Sequence, residues 1–148
     1  MEKNAIASVI TDETLGLDYF DDLKAGDSKI TILYLNEKNN RGNNVVGEIT
    51  CYSNGEIYLN INNSKYEDEI YNDYLKINGD NKEPKPKGGL YKMPLLSNNH
   101  DKKRWTRLKQ FVFDNNIELD YSEDIKETMR EYYNETNNDY PVIKMKHF

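Results

Sequence analysis

An α+β fold follows from three features of the 148-residue sequence. The stretch 28–62 alternates in the manner of three antiparallel strands, a β-meander. Helical stripes recur on both sides of it, and strand-like and helix-like runs are mixed rather than regularly alternating, which argues against a doubly wound parallel sheet. The length suits one domain, 1–148. Hydrophobic residues reach only 36%, but 12 Tyr, 4 Phe and one Trp supply large buried area, so the core should be modest and aromatic-rich.

Taken in order, 4–10 (NAIASVI) predicts a short strand. Thr11 or Asp12 then caps a helix whose Leu15, Tyr19, Phe20 and Leu23 form one stripe before Gly26. The run 28–36 (SKITILYLN) is rich in β-branched and aromatic residues and reads as a central strand covered on both faces. Between 45–53 and 56–62 the turn can be chosen by parity. A two-residue Asn-Gly turn would send Ile49 and Cys51 to the face opposite Ile57, Leu59 and Ile61. A three-residue loop, Ser53-Asn54-Gly55 with Gly55 left-handed, unites them and sets Cys51 opposite Ile57.

Ser64 and Glu67 have capping-box spacing, and Tyr66, Ile70, Tyr71, Tyr74, Leu75 and Ile77 give a broad apolar side that stops at Gly79. Residues 79–89 (GDNKEPKPKGG) hold no apolar residue and read as a connector dividing an N-terminal lobe, 1–78, from a C-terminal lobe, 90–148. Leu90–Leu96 extends as an edge, because Pro94 has no amide to donate. Asn98 or Asn99 caps the next helix, where Trp105, Leu108, Phe111 and Val112 share a side, so Trp105 reads as core, or alternatively as a stacking platform for an unpaired base. Ile117, Leu119 and Tyr121 alternate as a strand. Ser122 caps a last helix with Ile125, Met129, Tyr132 and Tyr133 in stripe, and Val142–Phe148 closes as a strand.

Charge is strongly segregated. Residues 1–81 hold 15 acids against 7 bases and residues 111–139 hold 9 against 2, whereas 82–110 holds 9 bases against 2 acids, within a formal net charge of −6. Lone Cys51 closes no internal disulfide and fits a reducing, cytoplasmic setting. No export signal and no 18-residue apolar run is present in the sequence, so no membrane partner is expected. The Asn, Lys, Ile and Tyr bias is that of AT-rich codons, pointing to a low-GC bacterium, its phages or mobile elements.

Catalytic signatures are poorly represented. GxSxG, GxxxxGK[ST], HExxH and GxGxxG are all missing, so no catalytic residue, metal ligand or cofactor is expected. Asp124-x-Lys126, with Asp114, Glu118 and Asp120 upstream, falls in a helix rather than on a strand where carboxylates converge on an ion. His100 beside Asp101 faces a different way on a helix and suits a cap.

Two binding readings remain. Acids interleaved with tyrosines, chiefly Glu67, Asp68 and Asp73 on one helix and Glu127, Glu131 and Glu135 on the last, suit a non-enzymatic inhibitor or regulator. It would occupy the basic surface of a nucleic-acid-handling protein as a nucleic-acid mimic does. Alternatively, Lys85, Lys87, Lys92, Lys103, Arg104 and Arg107 track the phosphates of single-stranded DNA or RNA, with Tyr91 stacking on a base. Each has a plainer counterpart, since acidic helix sides keep small domains in solution and basic side chains pair with nearby acids. The first reading is the expectation here, because a chain at −6 repels a long polyanion.

Overall fold

The computed structural model describes residues 5–11, 28–36, 45–79, 95–97, 101–120, 122–136 and 143–144. The strands are β1 (Ala5–Thr11), β2 (Ser28–Leu35), β3 (Val45–Tyr52), β4 (Ile57–Ile61), β5 (Leu95–Ser97), β6 (Glu118–Leu119) and β7 (Ile143–Lys144). The helices are α1 (Glu67–Asn78), α2 (Lys103–Asp114) and α3 (Glu123–Thr136). The sheet order is β6-β1-β2-β3-β4-β5-β7, with β1 to β5 antiparallel to one another and a two-residue parallel strand added at each edge. This is an α+β fold around an antiparallel meander.

Strand alternation sorts the side chains into two layers. Ile30, Ile32 and Tyr34 of β2, Ile49 and Cys51 of β3, and Ile57, Leu59 and Ile61 of β4 face α1 and α2, which contribute Ile70, Tyr74, Ile77, Leu108, Phe111 and Val112. Each fully buried Ile or Leu there is worth about 1.5–3 kcal/mol, so this layer dominates the core. The opposite face receives Ile6, Leu33, Leu35 and Val45, packed on Ile125, Met129 and Tyr132 of α3. The strand β2 is therefore covered on both sides, as its composition predicts.

The β3–β4 hairpin has the three-residue loop. Cys51 pairs with Ile57 and Ile49 with Leu59, the Tyr52 amide donates to the Glu56 carbonyl at 2.9 Å, and the Gly55 amide donates to the Tyr52 carbonyl at 2.8 Å. Gly55 has φ 99, and an added Cβ would lie 2.5 Å from the carbonyl carbon of Asp101. Gly47 is a close-approach glycine of another kind. A Cβ there would meet Ile70 Cδ1 at 2.7 Å and the Asn60 carbonyl at 2.9 Å, so its absence lets α1 lie directly on the sheet.

Several boundaries differ from expectation. Asn63, not Ser64, is the cap: its Oδ1 accepts from the Lys65 amide at 2.9 Å and starts a 3-10 turn, Ser64–Tyr66, before α1 begins at Glu67. The helix α2 is started by Asp101, whose Oδ1 accepts from the Lys103 amide at 3.1 Å, rather than by Asn98 or Asn99. Ser122 does cap α3, accepting from the Ile125 amide at 3.2 Å. The segments before 79 and after 90 share one sheet and one core: β4 pairs with β5, and α1 packs in the same layer as α2. Nor is β5 an edge, because β7 pairs along its other side. The helix expected at 12–25 and the connector 80–89 lie outside the described residues.

Gly55→Ala should lower the unfolding free energy by at least about 2 kcal/mol, combining a left-handed non-glycine residue with a backbone clash. Urea denaturation followed by circular dichroism measures it. An unchanged midpoint would refute the tight loop.

Candidate functional site

The acidic residues divide between opposite sides of the sheet. On α3 the side chains of Ile125, Thr128, Met129 and Tyr132 are buried, which turns Glu123, Asp124, Glu127 and Glu131 outward, and all four are exposed. Glu123, Glu127 and Glu131 stand four residues apart, about 6 Å of helix rise per step, and form one row. Lys126 is bound to Glu123 at 3.1 Å. Glu135 belongs to the same helix, but its side chain lies outside the described residues.

The acidic side of α1 is smaller than the sequence suggests. Asp68 and Glu69 are exposed and Glu67 is half-buried, but Asp73 must be withdrawn from it. Asp73 is 2% exposed and accepts a hydrogen bond from the Tyr34 hydroxyl at 2.8 Å, joining α1 to β2. Burial first, and then the Asp73 carboxylate, push the Tyr34 hydroxyl well above its usual range, so it stays a proton donor. Because α1 and α3 cover opposite faces of the sheet, their acids cannot meet one flat partner surface together.

The basic segment is also reorganised. Arg104 is 1% exposed, and its Nη1 donates to the Gly55 carbonyl at 2.8 Å. Arg107 donates from Nε to the Ile77 carbonyl at 2.7 Å and from Nη2 to the Asn78 carbonyl and Asp101 Oδ2, both at 3.0 Å. Both guanidinium groups thus serve the fold, contrary to their expected place on a phosphate-binding patch. Lys103 and Lys109 are exposed on α2, as is Lys102 just before it, whereas Lys85, Lys87, Tyr91 and Lys92 lie outside the described residues. Trp105 is half-buried against the core, and Lys109 Nζ sits 5.1 Å from its ring centre.

A polar network that the sequence does not announce lies under α3. Lys29, Thr31, Glu48, Thr50 and Asn60 are each at most 3% exposed. Thr50 Oγ1 donates to Glu48 Oε2 at 2.6 Å. Since a hydroxyl carries a single proton, the 2.9 Å contact between Thr31 and Thr50 must run from Thr31 to Thr50. Asn60 Nδ2 donates to the Tyr132 hydroxyl at 2.7 Å, which ties α3 to β4. Glu48 Oε2 thus accepts within the buried layer behind α3.

Burial pushes the Cys51 thiol up to about 12, outweighing the lowering by Arg104 and Arg107, so the neutral thiol is favoured near neutral pH. Among the described residues no group of three His, Cys, Asp or Glu side chains is arranged to hold a metal ion. No helix among them is long and apolar enough to cross a membrane.

Asp101 gives a pH test of the Arg107 contact. Partial burial favours its neutral form, but hydrogen bonds from Arg107 and the Lys103 amide, with the charges of Arg107 and Arg104, bring the carboxyl below its ordinary 3.8. A depressed carboxyl pKa stabilises the fold above the unfolded value and loses that contribution as pH falls through the folded one. Asp101→Asn should therefore be less stable than the parent at pH 7, by about 1 kcal/mol or less for this partly exposed pair. The gap should close below pH 4. A gap independent of pH, read from thermal midpoints at both pH values, would refute the assignment.

Comparison of the chain with protein-family models, with curated proteins and with solved structures returns no match.

Proposed function

We propose that this protein is a non-enzymatic binding protein that inhibits or regulates a nucleic-acid-handling partner by occupying that partner's basic surface with the outer side of α3. The observation that carries the reading is the exposed row Glu123, Glu127 and Glu131 with Asp124 beside it. The helix is held from behind by Ile125, Met129 and Tyr132, so its acids are presented on an anchored element rather than a loop. An anchored row of carboxylates loses less side-chain and backbone freedom on binding than the same charges on a free chain. The competing nucleic-acid reading keeps fewer residues, because Arg104 and Arg107 are engaged within the fold. A cytoplasmic setting and an origin in a phage or mobile element of an AT-rich host belong to the same proposal.

The test begins with the partner captured from the native host and then purified. That partner should carry a basic surface, its binding should weaken as salt is added, and a nucleic-acid oligonucleotide should compete for it. The triple reversal Asp124→Lys, Glu127→Lys, Glu131→Lys should weaken binding at least a hundredfold, since like charges set against each other cost several kcal/mol. Reversing Asp68 and Glu69 on the other side of the sheet should change it less than threefold. The opposite ranking, or a direct salt-sensitive complex between this protein and single-stranded oligonucleotide, would overturn the proposal.

A further inference from the structure

The helix α2 carries a second stripe beside its core stripe. Trp105, Lys109, Val112 and Phe113 follow one another at helical spacing, and Asn116 continues the line past the end of the helix. Asn116 has φ 53, a left-handed conformation that Asn tolerates, and it turns the chain so that Ile117 is buried and β6 runs beside β1. Between this stripe, Ile30 of β2 and Leu119 of β6 lies a cavity of about 660 Å³. Its volume falls within the range that small-molecule sites occupy.

Two features separate it from an ordinary surface depression. The large hydrophobic side chains Phe113 and Leu119, on its wall, are 78% and 54% exposed, which leaves apolar area in water at a cost of about 25 cal/mol per Å². The cavity also has a polar rim of definite sign. Lys109 lies there with its ammonium over the Trp105 ring, and among the described residues no carboxylate pairs with it. Asn116 adds a carboxamide to the same lining. An apolar floor with one cation and one amide at its edge matches a molecule that has an apolar body and a single anionic group.

We infer that this cavity binds a small amphipathic anion, an aliphatic or aromatic carboxylate, with its apolar body against Val112, Phe113 and Leu119 and its carboxylate at Lys109 and Asn116. The site is independent of the acidic row, since α2 and α3 cover opposite faces of the sheet. Failure of either proposal leaves the other standing.

Trp105 is the chain's one tryptophan and lines the cavity, so its fluorescence reports binding. The full chain is titrated with decanoate and, separately, with decylammonium. The net charge of −6 makes non-specific adsorption favour the cation, so a preference for the anion reports the local site. Decanoate should give a saturable change in Trp105 emission and bind tighter than decylammonium. Lys109→Met should weaken decanoate about fivefold, in line with an exposed charge pair, and leave decylammonium no weaker. Phe113→Ser and Leu119→Ser, both on the surface, should each weaken decanoate about tenfold with the circular dichroism spectrum unchanged. Absence of saturation, equal or tighter binding of decylammonium, or indifference to Phe113→Ser would overturn the inference. So would sedimentation showing a dimer that Phe113→Ser dissociates, because the face would then be covered by a second copy of the chain.

Discussion

A buried positive charge sets the arrangement of the larger core. The Arg104 guanidinium is almost wholly removed from water, and a charge in that position must be met by well-placed acceptors. The Gly55 carbonyl is one, and it is placed there by the left-handed loop that also brings the Asp101 backbone against Gly55. Asp101 starts α2 and receives Arg107, and Arg107 in turn satisfies the carbonyls of Ile77 and Asn78 that the end of α1 leaves without helical partners. Hairpin loop, end of α1 and start of α2 therefore meet at one knot. Moving any of the three would leave a carbonyl or a guanidinium buried without its present partner.

The two faces of the sheet are held by different physics. On the side of α1 and α2 the alternating residues of β2, β3 and β4 are nearly all apolar, and the layer is fixed by area and fit. On the side of α3 the apolar patch of Ile6, Leu33, Leu35 and Val45 gives way along the same strands to Lys29, Thr31, Glu48, Thr50 and Asn60. Polar groups shielded from water must find specific partners, so this face selects a geometry more than it adds net stability. The Asn60–Tyr132 hydrogen bond is where that selectivity reaches α3.

Much of the fold was legible because alternation and helical spacing are local properties. The parity of Ile49, Cys51, Ile57 and Leu59 was enough to choose the three-residue loop, and Gly79 and Ser122 marked helix ends. The polar network was harder. Lys29, Thr31, Glu48 and Thr50 recur at every second position, which in an antiparallel strand describes a wet face as well as a buried one. Only the later arrival of α3 distinguishes the two. The arginines misled for a related reason: charge counted along a sequence says nothing about which side of a helix is inward. Arg104 lies four residues before Leu108 and so shares its stripe, a spacing that could have signalled burial had the charge not argued against it. Asp73 is the same case in reverse, since it neighbours Tyr74 and reaches a tyrosine on a strand far off in sequence.

The outer side of α3 carries acids at a like-charge spacing. Glu123 with Glu127, and Glu127 with Glu131, are like charges one helical turn apart, and each such pair destabilises a helix by about 0.2–0.5 kcal/mol. A helix side that serves only to stay hydrated gains from mixed signs, with Lys placed four residues after Glu. Lys126 pairs with Glu123 at 3.1 Å, which offsets part of the repulsion on the helix. Burial of Ile125, Met129 and Tyr132, at about 1.5–3 kcal/mol for each large side chain, outweighs that repulsion several times over, so the helix can hold these acids without unfolding. On the proposed reading, a basic partner lying along these exposed carboxylates adds opposite charge to them, and that attraction contributes to binding.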